Sequence, residues 1–516
     1  MHLCFFCSFQ RFRSLRGGNL SVLVQNFDPK KGFQLPRMTC RWINCLLIRT
    51  FLLLIFYTII VPKASSQGAA SAPGFVYIQD IDIEGNKKTR ANLILRELEF
   101  STGDSISVDH LGTTLERNSL RLMNLGIFAS AVINVLTWDE RNRVTLQIRL
   151  QEGWYIYPAP LFELADRNFN VWWKEFNHSL RRVNYGIDLN WLNFSGQADL
   201  LKTKLQFGYS NKYELAYRHP NINKKQTLGL QTAIAFSRNH ELAYKTEGNK
   251  ILFYTDPNRW MIRRFAVGAG LTWRPKLFVS HTFNAEYHYN RINDTISEMN
   301  PDFFLRGRSL QRYLSLTYNV SIDRLDIRPY PLRGWRGTFE VRQNGFLPKE
   351  DLHLTRLYVE YDRYFKFTNR LSLALQSAGR LSLPRCQPPY FNNQGLGYGN
   401  NFVRGYEYYV ADGLDFAILK TAVHLEIFNR TYHLGKFMPL DAFKTFPLKV
   451  YLAFNNDVGY SNDPYYGKNN PFVNRAMYGY GLGLDVVAYY NKTARFEWSR
   501  NDLGQSGFFV RINAGF

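Results

Sequence analysis

LSLTYNVSID, residues 314–323, carries the pattern on which the fold of this chain depends. Apolar and aromatic side chains occupy every second position, and the positions between them are polar. A period of two puts alternate side chains on opposite faces of a β-strand. Residues 154–516 therefore read as a succession of amphipathic strands. The same alternation returns in RVNYGIDLNW (182–191), in LKVYLAFN (448–455) and at the C-terminal end, where one face holds Phe508, Val510, Ile512 and Phe516.

Two architectures are built from many such strands. A soluble β-sandwich hides its apolar face and uses strands of about 5–6 residues, whereas a membrane barrel turns that face to lipid with strands of roughly 9–11 residues. The strands here are long and heavily aromatic, and a mean hydropathy of −0.30 is too low for a bundle of membrane helices. We therefore expect a membrane β-barrel of about 16 antiparallel strands, in which residues 225–254 form either one long hairpin or two short ones.

The N-terminal residues have the layout of an export signal. FLLLIFYTIIV, residues 51–61, is an apolar run preceded by arginines and followed by KASSQ. It is too short to span a bilayer as a helix, which needs about 20 residues. We expect a signal peptide at 38–66, a linker at 67–74, and an extension or mis-assigned start at 1–37. The net charge of the whole chain is +22, and removal of residues 1–66, with nine Lys/Arg and one Asp, would leave about +14. We expect this remaining charge on loops and in the lumen, near anionic lipid.

A smaller module, at residues 75–153, precedes the barrel. Its pattern predicts a strand, two helices and two further strands, with breaks at Gly85-Asn86 and Gly103-Asp104. These breaks, the Arg-Glu-Leu of the first helix and the Leu-Gly-x-Phe at 125–128 resemble the POTRA domain, a periplasmic module of polypeptide transport. The resemblance implies a small α+β POTRA-like domain whose sheet edge accepts an extended polypeptide by strand addition. The alternative is an α+β spacer.

NNFVRGYEYY, residues 400–409, places one arginine in a loop of Gly, Asn and aromatic residues. Val403, Arg404, Gly405 and Tyr406 match the V/I-R-G-F/Y motif of the BamA/TamA superfamily of outer-membrane assembly and translocation proteins, which this chain resembles. In that family the motif lies on the long loop between the eleventh and twelfth strands. Its arginine pairs there with acids on the inner barrel wall.

The resemblance also implies the partners of Arg404. Asp457 and Gly459 in NNDVGY match the family's acidic strand motif loosely, and Glu426 in AVHLEIF matches the strand after the loop. A guanidinium inside a barrel needs such carboxylates, because an unpaired buried charge is costly. The chain departs from the family in having one POTRA-like module, where BamA itself carries several. A turn motif of the family is matched by Asp323, Arg324, Pro331 and Gly334.

These features predict an assembly factor in the outer membrane of a Gram-negative bacterium, with the POTRA-like domain in the periplasm. The barrel would open at a seam between its last strand, 506–516, and its first, near 163–172, and template client strands by backbone pairing. Expected partners are unfolded outer-membrane or secreted polypeptides, outer-membrane lipid, and periplasmic proteins or lipoproteins. The alternative is a dedicated translocation pore of the two-partner-secretion type. A passive porin would have no use for a peptide-binding module.

No covalent chemistry is expected. The chain lacks G-x-S-x-G and H-E-x-x-H motifs and paired sets of metal-binding cysteines, and its ten histidines form no catalytic pattern. Exported barrel strands also offer no helix for reading nucleic acid. The sequence therefore predicts no enzyme activity, no cofactor, no metal site and no nucleic-acid partner.

Overall fold

The computed structural model describes residues 74–164, 169–435, 438, 444–488 and 493–513. The expected extension, the signal peptide and the linker as far as residue 73 lie outside the described residues, and so does Phe516. From Pro73 onward the chain forms one compact unit. This unit contains an N-terminal domain and a barrel.

The N-terminal domain has two helices and a four-stranded sheet with the order β2-β1-β4-β3. The sheet pairs β4 in parallel with β1 and antiparallel with β3. The predicted order of strand, helix, helix, strand and strand is confirmed, and one short strand, β2, is added. The elements are β1 (Phe75–Glu84), α1 (Ala91–Arg96), β2 (Ser105–Ser107), α2 (Val108–Met123), β3 (Phe128–Trp138) and β4 (Arg143–Glu152). The helix residues buried in the core are Leu93, Ile94, Leu111, Leu115 and Leu122.

Sixteen strands form one antiparallel sheet, which is the barrel, and this confirms the expected architecture. The first nine elements are β5 (Ile156–Leu164), α3 (Phe169–Glu175), β6 (Val183–Leu192), β7 (Leu200–Gly208), β8 (Ser210–His219), β9 (Leu228–Asn239), β10 (Glu241–Glu247), β11 (Lys250–Thr255) and β12 (Ile262–Lys276). The others are β13 (Val279–Ile292), α4 (Asp294–Met299), β14 (Leu310–Asp323), β15 (Gly334–Asn344), β16 (Leu354–Lys366), β17 (Leu371–Leu383), β18 (Asp415–His433), β19 (Thr445–Asn462), β20 (Ala476–Val487), β21 (Thr493–Asn501) and β22 (Ser506–Asn513).

The ambiguous stretch 225–254 divides between two structures. β9 belongs to the barrel, whereas β10 and β11 pair only with each other as a separate hairpin within the described residues. Of the expected C-terminal strand residues, Phe508 and Val510 lie in β22 together with the backbone of Ile512.

The alternation along the strands places apolar side chains outside and polar side chains inside. In β19, Leu452, Phe454 and Val458 are exposed on the outer surface. The residues between them, Asn455 and Asp457, are buried toward the lumen. An apolar outer face and a polar inner face are the pattern of a barrel in lipid. None of the described helices is long and apolar enough to cross a membrane.

The N-terminal domain marks one end of the barrel, which we call the proximal rim. The backbone amide of Arg90 donates to the carbonyl of Gly196 in the β6–β7 turn, at 3.0 Å. The side chain of Asn124 donates to the carbonyl of Asp326 in the β14–β15 turn, at 2.9 Å. Because the strands are antiparallel, the loops 384–414 and 463–475 and the β10–β11 hairpin lie at the opposite end, the distal rim.

Candidate functional site

The loop that carries the arginine motif, residues 384–414, joins β17 to β18, the eleventh and twelfth strands of the barrel. Arg404 is buried, and its Nη1 donates to Asp457 Oδ1 of β19 at 2.6 Å. Its Nε donates to Glu497 Oε1 of β21 at 2.8 Å. The backbone amide of Arg404 also donates to Asp457 Oδ2, at 3.1 Å. The structure thus brings Arg404 and Asp457 together and fixes the loop to two strands of the wall.

The pKa of Arg404 follows from these contacts. Burial alone would lower the pKa of the guanidinium, but Asp457 and Glu497 raise it above its usual value. The side chain is therefore a permanent cation with two anionic partners. Such charge-assisted contacts are strong, and losing one partner leaves the other charge buried and uncompensated.

The wall contains glycines where the loop touches it. A Cβ on Gly479 of β20 would lie 1.7 Å from the carbonyl oxygen of Arg404, and one on Gly459 of β19 would lie 2.4 Å from Val403 Cγ2. Gly405 has a φ of +83°, and a Cβ there would lie 2.7 Å from the Arg500 carbonyl carbon. Only glycine allows this approach of two backbones. Tyr406 is also buried, and its hydroxyl donates to Asp502.

Glu426 does not reach Arg404, which corrects the expectation from the sequence. It accepts hydrogen bonds from the Tyr451 hydroxyl at 2.9 Å and from the Asn429 amide at 3.1 Å. The cause is register: β18 pairs Lys420, not Glu426, with Asp457. Glu426 lies six residues farther toward the proximal rim, about 20 Å at 3.3 Å per residue. Glu497, which the sequence reading missed, takes its place.

The ion network continues into the last strand. Arg511 of β22 bonds to Glu497 through Nη1, and its Nη2 donates to Glu407 Oε1 of the loop at 2.7 Å. Its guanidinium lies over the ring of Phe402, 4.0 Å from the centroid. The loop segment 402–408 thus holds β22 from inside the barrel.

The barrel sheet ends at β5 on one side and at β22 on the other. No backbone pairing joins the two strands within residues 156–164 and 506–513. The helix α3, which follows β5, contacts β22, so the two flanks lie side by side. We call this boundary the seam. The expected first strand at 163–172 is corrected: β5 ends at Leu164, and α3 occupies 169–175.

Three segments join across the distal rim. Asn249, at the tip of the β10–β11 hairpin, is fully buried, and its Nδ2 donates to the carbonyl of Val410 at 2.9 Å. Its backbone amide donates to Asn470 Oδ1 at 2.8 Å. The hairpin follows the fifth strand and Asn470 follows the thirteenth, on opposite sides of a sixteen-stranded barrel. These contacts therefore span the mouth, and we call the joined segments the cap.

A buried carboxylate supports the cap. Asp412 accepts from the Thr246 hydroxyl at 2.6 Å and from the Tyr398 hydroxyl at 2.7 Å. Burial raises the pKa of Asp412 to about 6. Its two hydrogen-bond partners named here are neutral hydroxyl groups, which do not offset the cost of burying the charged form.

The N-terminal domain is bound to the proximal rim by an ion pair. Glu97, at the end of α1, accepts from Arg274 Nη1 of β12 at 2.5 Å and from its Nη2 at 2.8 Å. Burial alone would raise the pKa of Glu97, but Arg274 lowers it below its usual value. Arg121 of α2 lies 3.5 Å away on the other side. A fork-to-fork contact of this kind fixes orientation as well as distance.

The expected turn motif lies at the same rim. Asp323 ends β14 and accepts from Arg328 Nε at 2.7 Å. Gly334 begins β15 with a φ of +110°, and a Cβ there would lie 2.1 Å from the Arg324 carbonyl oxygen. Arg324 and Pro331 lie in the connecting turn. The motif therefore shapes a turn that meets the N-terminal domain, far from the arginine loop.

No cluster of three or more His, Cys, Asp or Glu side chains among the described residues has the geometry of a metal site. The charged side chains around Arg404 and Arg511 form ion pairs with one another. What this arrangement can do is mechanical: it fixes a loop to the wall and a terminal strand to the loop.

Comparison with known families agrees with this architecture. Residues 76–153 match the POTRA family, described as a surface antigen variable number repeat. Residues 193–487 match the Omp85 superfamily domain. With the sixteen-stranded sheet, these matches define an outer-membrane β-barrel that carries a periplasmic POTRA domain, so the proximal rim is periplasmic. The chain belongs to the Omp85 superfamily.

Individual relatives are distant. The outer membrane protein assembly factor BamA of Nitratidesulfovibrio vulgaris is 31% identical over 77 residues, which are 15% of this chain and 9% of that protein. CdiB from Escherichia coli has a TM-score of 0.52 at 12% identity, covering 85% of this chain and 76% of that one. BamA from Haemophilus ducreyi lacking POTRA domains 1–3 has a TM-score of 0.47 at 12% identity, covering 85% and 83%. The likeness to the Escherichia coli structure concerns the fold alone.

Proposed function

We propose that this protein assembles other β-barrel proteins into the outer membrane. The POTRA domain receives an unfolded client from the periplasm, and the seam between β5 and β22 pairs with client strands. The observation that carries the proposal is the seam itself, a sheet boundary in lipid without backbone pairing between β5 and β22 in the described residues. Backbone groups at membrane depth need partners, so such a boundary favours the addition of a strand.

The POTRA domain offers a place for the client to bind first. β3 is an outer strand of its sheet, and Val132, Leu136 and Trp138 on it are exposed. An extended chain can add to such an edge through backbone groups alone, which requires no particular client sequence. The Glu97–Arg274 contact would keep this edge at a fixed place relative to the barrel.

The ion network gives the barrel wall a defined shape while its seam works. Arg404 holds the loop to β19 and β21, and Arg511 holds β22 to the same loop. No covalent step and no cofactor enter this mechanism. Client folding would be driven by the burial of apolar side chains in lipid and by the completion of backbone pairing.

The second candidate is a dedicated pore that exports one polypeptide through the lumen. The cap bears on this choice, because it joins segments from opposite sides of the distal rim. Export through the lumen would require the cap to open, whereas insertion at the seam would not. This observation favours assembly over translocation.

Reconstitution tests the proposal. The full chain is placed in lipid vesicles, and an unfolded eight-stranded outer-membrane barrel is added from urea. Folding of the client is followed by its shift on an unheated gel. Wild type should accelerate folding over empty vesicles, Arg404→Ala should not, and Arg385→Ala should behave as wild type. Arg385 is the matched control, since it lies in the same loop but its ion pair with Asp415 is solvent-exposed. Equal rates with wild type and with empty vesicles would reject the proposal.

A further inference from the structure

Three arginines form a row on the outer face of the barrel, at its distal rim. Arg263 of β12 lies directly opposite Arg238 of β9 on one side and Arg291 of β13 on the other. Residues opposite each other in an antiparallel pair share a face of the sheet, with Cβ atoms about 5 Å apart. Three adjacent strands, the fifth, sixth and seventh of the barrel, therefore each contribute one guanidinium group. We call these residues the outer arginine row.

The neighbouring rows of side chains identify the face and the depth. The next row toward the proximal rim, two residues along each strand, is entirely aromatic and consists of Phe236, Phe265 and Tyr289. The row after it is exposed on the lipid side and consists of Ile234, Val267 and Tyr287. Every second residue of a strand shares a face, so the arginines point outward as well. Aromatic girdles mark the interfaces of a membrane barrel, and the arginine row lies about 7 Å beyond this one, at the depth of lipid headgroups.

No carboxylate balances this row among the residues that the structure describes. The acids of the adjacent connections, Asp256 and Asp294, form no ion pair with it there, and Asp256 is bound by Arg259 at 2.7 Å. Like charges directly opposite on adjacent strands repel one another. Arginine stays protonated in proteins, so the repulsion is not relieved by the loss of a proton. The row therefore favours an anion that comes from outside the chain.

The basic surface continues onto the next strand. Arg312 of β14 lies opposite Tyr289, in the aromatic row, and it shares the carboxylate of Asp351 with Arg308. One carboxylate for two arginines leaves this part of the rim positive too. An anion bound at the row is therefore attracted from both the row and its surroundings.

The guanidinium groups suit a phosphate in particular. That of Arg238 lies over the ring of Trp260, 4.1 Å from the centroid, and this stacking fixes its orientation. Stacking uses the flat face of the group, and its N–H bonds lie in the plane, where two of them can bind phosphate oxygens in parallel. A phosphate monoester carries a charge of about −1.5 to −2 near pH 7. It therefore neutralises more of the row than a phosphodiester, which carries a single charge.

We propose that the outer arginine row binds a lipid of the outer leaflet whose headgroup carries a phosphate monoester, namely a phosphorylated glycolipid. The distal rim meets this leaflet because the proximal rim is periplasmic. The phosphate lies across the three guanidinium groups, and the acyl chains run down the exposed rows that contain Phe265 and Val267. This apolar surface beside the charges favours a lipid over a free phosphate ion, because lipid binding combines apolar burial with electrostatic attraction. The fifth to seventh strands are separate from the seam, so lipid binding here is independent of barrel assembly at β5 and β22.

Native mass spectrometry of the full chain in detergent tests the site. Three lipids are added separately: diphosphoryl lipid A, the same glycolipid without its phosphates, and phosphatidylglycerol. Wild type should bind diphosphoryl lipid A about tenfold more tightly than the dephosphorylated glycolipid, because the charge-assisted hydrogen bonds are lost with the phosphates. Phosphatidylglycerol, a phosphodiester, should bind less tightly than diphosphoryl lipid A. An affinity for either of the other two lipids that equals the one for diphosphoryl lipid A would overturn the proposal.

Variants test the residues. Arg263→Gln should weaken the binding of diphosphoryl lipid A severalfold, and the triple variant with Arg238→Gln and Arg291→Gln should weaken it about tenfold or more. The matched control is Arg500→Gln, which removes the same charge from the outer face of the same rim, where no arginine lies opposite it on β20 or β22. The control should bind as wild type does. If it loses as much affinity as Arg263→Gln, net charge explains the effect and the assigned site is wrong.

Thermal unfolding in detergent separates ligand binding from a structural role. Without lipid, the triple variant should unfold at the temperature of wild type or above it, because a repulsive row has been removed. Diphosphoryl lipid A should then stabilise wild type more than the variant. A variant that is less stable than wild type without lipid would show that the arginines support the fold, and it would overturn the proposal.

Competition by inorganic phosphate distinguishes the two sources of the phosphate group. Diphosphoryl lipid A should stay bound to wild type when inorganic phosphate is added in large excess, since the acyl chains contribute to its binding. Release of the lipid would assign the row to a free phosphate ion and would contradict the lipid site.

Discussion

Glu497→Gln should weaken the fold much more than Glu426→Gln. Glu497 lies 2.8 Å from Arg404 and is also bonded to Arg511, and it is almost fully buried. Removing its charge leaves two arginines in the lumen with one carboxylate each. Each arginine loses one charge-assisted contact, which costs about 1.5–3 kcal/mol per contact. Among the described residues, the Glu426 side chain accepts hydrogen bonds from neutral groups, those of Tyr451 and Asn429. The glutamine keeps an acceptor there, so the expected cost is about 1 kcal/mol.

The assay is reversible urea unfolding of the full chain in lipid vesicles, followed by tryptophan fluorescence and by the gel shift of the folded barrel. The double variant with Arg404→Met measures the coupling, because a direct contact makes the two losses non-additive by about 0.5–3 kcal/mol. Equal free energies of unfolding for Glu497→Gln and Glu426→Gln would refute the assignment of Glu497. Additivity with Arg404→Met would refute the direct contact.

Three further predictions test other parts of the molecule. Gly479→Ala should displace the arginine loop and abolish client folding, since its Cβ would meet a backbone oxygen at 1.7 Å, whereas Gly379→Ala, whose Cβ meets its nearest atom at 3.6 Å, should be active. Glu97→Gln should weaken the attachment of the POTRA domain to the barrel by about 3–5 kcal/mol, which limited proteolysis would detect as faster cleavage between the two. The control is Glu99→Gln, whose arginine partner is exposed and whose loss should cost at most about 1 kcal/mol of stability. Burial raises the pKa of Asp412 to about 6, so the stability that its proton supplies is lost as pH rises through that value. Melting should show wild type losing about 2.5 kcal/mol relative to Asp412→Asn between pH 4 and 7.5; a difference that does not change with pH would contradict this.

The barrel was predictable because its strands repeat one simple pattern. Alternation of apolar and polar residues in stretches such as 314–323 depends only on which face meets lipid, and that is written locally in the sequence. The first strand was not located correctly from this pattern. Its prolines, at 158 and 160, argue against a central strand, but they are allowed on an edge. Recognising them as edge residues would have required knowing that the sheet ends there.

The inner contacts were predictable only in part. Asp457 stood out because the resemblance to a family motif marked it. Glu497 lies two strands away from Asp457, and its approach to Arg404 depends on the registers of β19 with β20 and of β20 with β21. No local pattern encodes such registers. The available signal was Glu497 itself, a glutamate on the polar face of the strand ARFEWSRN. A carboxylate facing the lumen indicates a cationic partner, because a buried charge requires one.

The most direct test of the assembly function is quantitative proteomics of the outer membrane after depletion of this protein in its native host. Complementation with wild type or with Arg385→Ala should restore the amounts of the outer-membrane barrel proteins, and complementation with Arg404→Ala should not. The proposal predicts that many unrelated barrel proteins decrease together in the depleted and Arg404→Ala strains. The loss of a single secreted protein, with the barrels unchanged, would contradict it and would identify a dedicated translocator.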